Sequence, residues 1–373
     1  MHAAAVVMQS HFFSLPQASD QVQVTYVWND GRTDRTKSKS RVLSHVPVTA
    51  ADVPVWGFGM VIQDPVSGKP VAADHFLRPI RLYKDPFRGG SNRIVLCDTL
   101  DESGSAPASY NTRVALKEIA DAVADSHEPW IGIEQEYVLM ESGLGYDSTG
   151  QRPLGWPVSG FPDRDSLYEY MHGVGGDVVI GREIHESAYR AALYAGVGVF
   201  GENSEAMPAQ WEFQVGPSDP LKCADDIWML RFILARTAES FRSCLCIQPR
   251  AVEGKGWLGT GMHVNVSTRG TRVEGQGMQA IKAAIEKLAP AHQEYLRLCD
   301  REEGRANARR LVSPYLSAGR PEEFTSGIAN RRASVRIPQA CVNATAGYFE
   351  DRRPAGNADP YRVIQHLLRT ICL

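Results

Sequence analysis

One stretch constrains the chain more than any other: Trp130-Ile131-Gly132-Ile133-Glu134-Gln135-Glu136-Tyr137-Val138-Leu139. Its β-branched and apolar residues alternate with polar ones, so it reads as a strand. A period of two then places Glu134 and Glu136 on one face, with Cβ atoms about 7 Å apart. Two like charges at that spacing repel unless something positive lies between them, and a divalent cation is the usual answer. The bland alternative is an exposed strand face bearing two solvated glutamates.

Three further strings share this character. Asn203–Pro208, containing Glu205, leads into Gln210–Val215, where Glu212 sits among aromatics. Gly261–Ser267 alternates with His263 and Asn265 on one face, and Tyr348–Pro354 carries Glu350. Carboxylates flanked by Trp, Phe or Tyr are costly to bury unpaired. Several of them with one His and no Cys point to a hard, oxygen-seeking ion, Mg²⁺ or Mn²⁺, rather than zinc.

Composition excludes some functions. With 40 basic and 43 acidic residues the net charge is −3, which gives no case for nucleic acid or an anionic membrane as partner. No apolar run reaches the roughly 18 residues a membrane span needs. The apolar start at Met1–Met8 has no basic leader region and is not read as a signal peptide. Seven dispersed cysteines without metal spacing read as reduced thiols, so a cytoplasmic location is expected.

These strings make the chain resemble glutamine synthetase of the shorter, eukaryotic-like type II class. The matching segments are Trp130–Leu139, Tyr189–Val197, Met207–Gly216, Gly259–Thr268, Ala329–Pro338 and Tyr348–Pro354. They run in family order, and the similarity extends from about residue 22 to the C-terminus. The resemblance implies an ATP-dependent ligase that activates a carboxylate as an acyl phosphate before an amine attacks it. By the same resemblance Glu136, Glu205 and Glu212 hold one metal ion, and Glu134, His263 and Glu350 hold a second at the ATP phosphates. The family binds two or three Mg²⁺ or Mn²⁺ ions per site. Arg331 and Arg336 fall where phosphates are contacted, and Arg310 where the substrate α-carboxylate is clamped, with Gly259 beside the substrate. Arg352 falls where the reacting carboxylate is steadied. Trp130, Ser267, Arg272 and Tyr348 occupy positions associated with the nucleotide.

The departures from the family concentrate at one place. The ammonium pocket's Asp and Ser become Gly59 and Ile62, its Tyr becomes Met171, and its flap Glu aligns with Leu316. Leu258 replaces an Asn beside the amino-acid substrate. An ammonium ion must be desolvated, held and deprotonated, and an apolar lining does none of these. Three readings follow: a ligase for an organic amine with glutamate or a related acid, a nucleotide-binding relative without turnover, or an ordinary glutamine synthetase.

The expected fold is mixed α/β, in the α+β sense. A mobile arm over 1–20 precedes a β-grasp domain over 21–105, and a catalytic domain over 106–373 carries a curved antiparallel sheet with flanking helices. Val22–Trp28 alternates as a strand and Asp30-Gly31 turns it back. Asn111-Thr112 opens a helix with a stripe of Val114, Ile119, Ala122 and Val123. Helices are also expected over Arg182–Ala195, Ala224–Phe241, Gly277–Cys299 and Pro360–Ile371, with Gly143–Gly176 and Glu302–Thr325 as loops. The resemblance further implies a decamer of two pentameric rings, with each active site formed between neighbouring subunits, and small-molecule acid and amine substrates.

Overall fold

The structure is a computed structural model that describes residues 14–18, 20–31, 33–63, 70–106, 110–142, 152–157, 170–252, 257–312 and 320–373. Two sheets organise it. The first contains β1 (Val22–Trp28), β2 (Lys37–Leu43), β3 (Trp56–Gln63), β4 (Pro70–Lys84) and β5 (Arg93–Leu100), in the order β2-β1-β5-β4-β3. β1 and β5 pair in parallel; the other neighbours are antiparallel. Val22, Val24, Tyr26 and Trp28 alternate into a small core with Leu77, Val95 and Cys97. β3 is an edge strand. Of the arm expected at the N-terminus, the described part is docked here, Gln17 and Asn92 exchanging side-chain hydrogen bonds of 3.0 and 2.9 Å.

The second sheet has eight strands: β6 (Trp130–Glu141), β7 (Val199–Ser204), β8 (Gln210–Ser218), β9 (Ser243–Cys246), β10 (Met262–Ser267), β11 (Ser326–Ile328), β12 (Val335–Ile337) and β13 (Phe349–Asp351). Their order is β11-β12-β13-β10-β6-β8-β7, and β9 pairs with the end of β6. All pairs are antiparallel except β11 with β12.

Eight helices are described: α1 (Thr112–His127), α2 (Arg182–Ala195), α3 (Pro220–Ser240), α4 (Gly277–Leu288), α5 (His292–Leu296), α6 (Arg305–Leu311), α7 (Gln339–Ala344) and α8 (Pro360–Cys372). α3 begins at Pro220, earlier than the expected Ala224, because Asp219 caps it by accepting from Lys222 N at 2.9 Å. The helix expected over Gly277–Cys299 is two helices, α4 and α5, interrupted where Pro290 has no N–H to continue the ladder. α6 lies inside the segment expected to be loop. In α1 the buried residues are Leu116, Ala120 and Val123, whereas Ala122 is exposed and Val114 and Ile119 are half-buried. The i, i+4, i+7 set is the face that packs on α8, where Val363, Leu367 and Leu368 are fully buried.

The second sheet has two different faces. On one, Ile131, Ile133 and Tyr137 of β6 join Phe213, Val264 and Phe349 in the main core, together with Ile227 and Leu230 of α3. On the other face β6 presents Glu134 and Glu136, then Val138 and Met140. Those last two belong to a separate apolar cluster with Trp156, Tyr170, Met207 and Trp257. The change from acid to apolar along one strand face sets up the site.

Candidate active site

The acidic face is assembled by strand register. Glu136 of β6 pairs with Glu212 of β8, which pairs with Asn203 of β7. Glu134 is flanked by Gln214 on one side and His263 on the other. Asn265 of β10 faces Glu350 of β13, which faces Arg336 of β12. Cross-strand partners have Cβ atoms about 4.5–5.5 Å apart, so residues distant in sequence converge on one patch. A cavity of about 270 Å³ opens over it, lined by Glu134, Glu136, Glu205, Glu212 and His263, by Arg310, Arg331, Arg336 and Arg352, and by Met171, His172, Asn203, Gln214, Leu258 and Gly259.

Ligand atoms of Glu136, Glu205 and Glu212 lie within 4.8 Å of one another, as do those of Glu134, Glu212 and His263. Glu136 accepts hydrogen bonds from Gly261 N at 2.8 Å and Gln210 Nε2 at 3.3 Å. Glu134 accepts from Asn265 Nδ2 at 2.9 Å, and its other oxygen lies 3.4 Å from His263 Nδ1. Glu205 is held by Ala206 N at 3.2 Å and Asn203 Nδ2 at 3.3 Å, and Glu212 accepts from Gln214 Nε2 at 2.8 Å. Glu350 is fully buried, one oxygen bonded to Arg352 at 2.5 Å and the other to Arg336. It also lies 3.5 Å from His263 Nδ1.

The electrostatics are lopsided. Burial, then the charge of Glu136, pushes the Glu205 carboxyl up to about 8. Burial, then Glu134, Glu205 and Glu136, pushes Glu212 well above the carboxylate range. Burial works the same way on Glu134, but the hydrogen bond and charge of His263 and the bond from Asn265 overcome it and hold that carboxyl down to about 2. Asn265 Oδ1 and Gln210 Oε1 are buried acceptors without a donor among the described residues. A patch of raised carboxyls and orphaned oxygens is a donor set that fits hard divalent cations, whose charge would return these acids to the ionised form.

The arginines are built in. Arg310 donates to Asn307 Oδ1 at 2.8 Å and to the carbonyls of Arg352, Arg353 and Pro354 at 2.7–3.1 Å; burial lowers its pKa to about 10. Gly259 must be glycine, since a Cβ there would meet Pro249 O at 1.8 Å and Arg310 Cγ at 2.7 Å. Arg352 donates from Nε to the Arg331 carbonyl at 3.1 Å, joining the two arginines expected at the reacting groups.

The remaining expected residues are placed unevenly. Trp130, Ser267 and Arg272 form a second group at the start of β6: Trp130 is paired with Ser267, and the Arg272 guanidinium lies 4.0 Å from the Trp130 ring centroid and 3.0 Å from Ser267 Oγ. Tyr348 sits just before β13, partly exposed, with burial raising its hydroxyl pKa. Met171 and Leu258 line the cavity and pack on the apolar cluster of Trp156, Tyr170 and Trp257. Gly59 does not reach the cavity. It lies exposed on edge strand β3, with open space around its Cβ position, and none of the described lining residues comes from the first sheet. Leu316 and the Ile62 side chain lie outside the described residues.

Sequence reasoning missed Asn203, Gln210 and Gln214, which brace the acids. It also missed Arg231, which is 2% exposed. From α3 this arginine donates to Gln135 Oε1 at 2.8 and 2.9 Å and to the Gly356 and Ala358 carbonyls at 2.8 and 3.0 Å. Gln135 in turn donates to the carbonyls of Glu136 and Gly356. The strand carrying two acids is thus tied from below by a buried cation. An arginine alone within Trp228-Met229-Leu230-Arg231-Phe232-Ile233-Leu234 was the available signal.

A family model described as glutamine synthetase, catalytic domain, matches residues 110–296. The Drosophila melanogaster protein named glutamine synthetase 2 cytoplasmic is 42% identical over 362 residues, covering 97% of this chain and 94% of that one. The chain belongs to the glutamine synthetase family. Human glutamine synthetase is 41% identical over 364 residues, covering 97% of this chain and 92% of the relative. The cryo-electron-microscopy structure of Plasmodium falciparum glutamine synthetase superposes with a TM-score of 0.70 at 14% identity, covering 98% of this chain and 74% of that one, a likeness of fold. This glutamine synthetase relative therefore carries the family's architecture over nearly its whole length.

Proposed function

We propose that this chain is an ATP-dependent ligase that activates glutamate or a related acid and joins it to an organic amine rather than to ammonia. The observation that carries this reading is the junction inside one cavity. A dense row of acids and arginines suited to phosphoryl transfer abuts a wall of Met171 and Leu258 backed by three large aromatics.

In this reading Glu136, Glu205 and Glu212 hold one divalent ion, and Glu134, His263 and Glu350 a second near the ATP phosphates, Mg²⁺ or Mn²⁺ in each case. The ions supply charge neutralisation for the transferring phosphoryl group. Arg331 and Arg336 contact phosphate, Arg310 clamps the acid's α-carboxylate, and Arg352 steadies the carboxylate that becomes the acyl phosphate. The planar guanidinium fork suits each task because it pairs bidentately with carboxylate or phosphate. Trp130, Ser267, Arg272 and Tyr348 hold the nucleotide. The amine's apolar part lies against Met171 and Leu258, gaining about 25 cal/mol for each Å² it buries.

Gly59 and Ile62 complete the amine pocket of a neighbouring subunit in a ring, most simply a decamer. Their edge strand, exposed in the single chain and outside its own cavity, supports that role. Leu316 is assigned to the same pocket. A cytoplasmic location is part of the reading; among the relatives one is named cytoplasmic and another mitochondrial.

Glutamine synthesis from ammonia is the second reading, favoured by relatives 40–42% identical that are named glutamine synthetase. The deciding experiment incubates the protein with ATP, Mg²⁺, L-glutamate and either ammonium or a panel of alkyl and aryl amines. Phosphate release is followed and amides are identified by mass. Amide formation with an organic amine at a higher kcat/KM than with ammonium supports the proposal. Glutamine as the sole product overturns it, and binding of nucleotide without any turnover leaves a non-catalytic relative.

A further inference from the structure

The cavity contains one base that the acid row does not use. Of the carboxylates and histidines that line the cavity, Glu134, Glu136, Glu205, Glu212 and His263 all belong to that row; His172 does not. It stands beside Met171, on the apolar side of the cavity, and its ring has no hydrogen-bond or ion-pair partner among the described residues. Its backbone is held at φ 58°, the left-handed region, which is uncommon for a side-chain-bearing residue. Such a conformation persists only where the surroundings impose it. Here the surroundings are visible: His172 N donates to the Ser204 carbonyl at 3.2 Å, Gly173 N to the Tyr170 carbonyl at 3.0 Å, and Arg182 Nη2 to the Gly173 carbonyl at 3.0 Å. The turn is pinned to β7 and α2, with the exposed His172 imidazole among the groups that line the cavity.

We infer that His172 is the proton acceptor for the incoming nitrogen nucleophile, the catalytic base of the amide-forming half-reaction. The inference rests on the ligase reading above and deepens it by naming how a nucleophile is deprotonated where the apolar wall offers no carboxylate. The balance is as follows. An alkylammonium gives one N–H proton to the His172 imidazole, which freed of its proton to solvent can act again. The nitrogen lone pair forms the C–N bond to the acyl carbon, the C–O bond to phosphate breaks, and its electron pair leaves on inorganic phosphate. The second N–H proton passes to His172 and then to water. A nucleophile already neutral at pH 7 needs only that second transfer. A positioned imidazole contributes typically about 100- to 10,000-fold to such a step.

His172→Asn tests this, because asparagine tolerates the left-handed backbone and cannot act as a base. With ATP, Mg²⁺ and L-glutamate, kcat/KM is measured for ammonium, ethylamine and benzylamine, all protonated at neutral pH, and for hydroxylamine, which is not. The expected result is a fall of about 100-fold for the protonated nucleophiles and less than about fivefold for hydroxylamine. His172→Gly should regain activity with the protonated nucleophiles when free imidazole is added. An equal fall for both classes, or no fall at unchanged melting temperature, overturns the role of His172 and leaves the ligase standing. If wild type proves to use ammonium alone, the organic-amine reading fails, yet the ammonium-to-hydroxylamine comparison still decides His172. No amide from any nucleophile overturns both.

Discussion

Two halves of one strand face behave in opposite ways. At Glu134 and Glu136, β6 meets side chains that are charged, buried and cross-braced by Asn203, Gln214 and Asn265. At Val138 and Met140, two residues further along the same face, it meets tryptophans, Tyr170 and Met207. The first half tolerates little change, because each group is a partner of several others in a low-dielectric patch. The second half offers shape and apolar area, which can be altered without dismantling the charges next to it. The two halves are thus built from different side chains, and the proposed change of nucleophile involves only the second.

The largest effect should come from attacking the acid row. Glu136→Gln or Glu212→Gln is expected to lower glutamate-dependent phosphate release from ATP by about 100- to 1,000-fold while the melting temperature of the metal-free protein stays level or rises. Near-normal phosphate release from either variant would show that the two halves are not divided as described.

Reversing the apolar half comes next. Met171→Tyr combined with Leu258→Asn should cut kcat/KM for the preferred organic amine about tenfold and leave ATP affinity unchanged, since one lost apolar contact is worth about 1–3 kcal/mol. A matching loss of ATP affinity, measured by calorimetry, would mean the halves are coupled.

The acid row also makes a pH prediction. Glu205, with its carboxyl raised to about 8, and Glu212, raised well above the carboxylate range, are protonated in the metal-free fold but ionised in the unfolded chain above about 4.5. Unfolding then releases protons, so stability falls as pH rises from about 4.5 through 8. The metal-free melting temperature should drop by about 3–5 °C between pH 5.5 and pH 8.5, and millimolar Mg²⁺ or Mn²⁺ should remove the slope. A slope that metal leaves intact would place the responsible groups elsewhere. The smallest effect is expected at the first sheet. Gly59→Asp alone should change ammonium-dependent turnover less than about twofold, because its Cβ position meets open space and the apolar wall remains. A large gain in glutamine formation would show that one carboxylate suffices to restore the ammonia route.

The acid pair of β6 was legible because a period of two is a local property, and Glu134 and Glu136 announce it. The register that brings His263 beside Glu134 and Glu212 beside Glu136 was not, since strand pairing is decided by contacts far apart in sequence. The same limit hid Arg231, whose partners Gln135 on one side and Gly356 and Ala358 on the other come from segments roughly a hundred residues away in either direction. Helix existence was legible from apolar spacing, but the break before α5 turned on Pro290, and α6 was obscured by its polar composition. In α1 the expected stripe shared only Val123 with the buried face, because packing on α8 selects the i, i+4, i+7 set Leu116, Ala120 and Val123 over the neighbouring apolar stripe.

Asp225 of α3 is completely buried and receives Arg81 from β4, Arg113 from α1 and the Tyr361 hydroxyl from α8, at 2.7–3.0 Å. Beside it Asp226 accepts from Tyr83 at 2.8 Å. Shearing the first sheet past the helices would take Arg81 from Asp225 and the Tyr83 hydroxyl from Asp226, leaving both buried carboxylates short of a donor. The β-sheet bearing Gly59 therefore travels with the acid row as one solid piece, and whatever strand β3 touches in an assembly is set at a distance ruled by this junction.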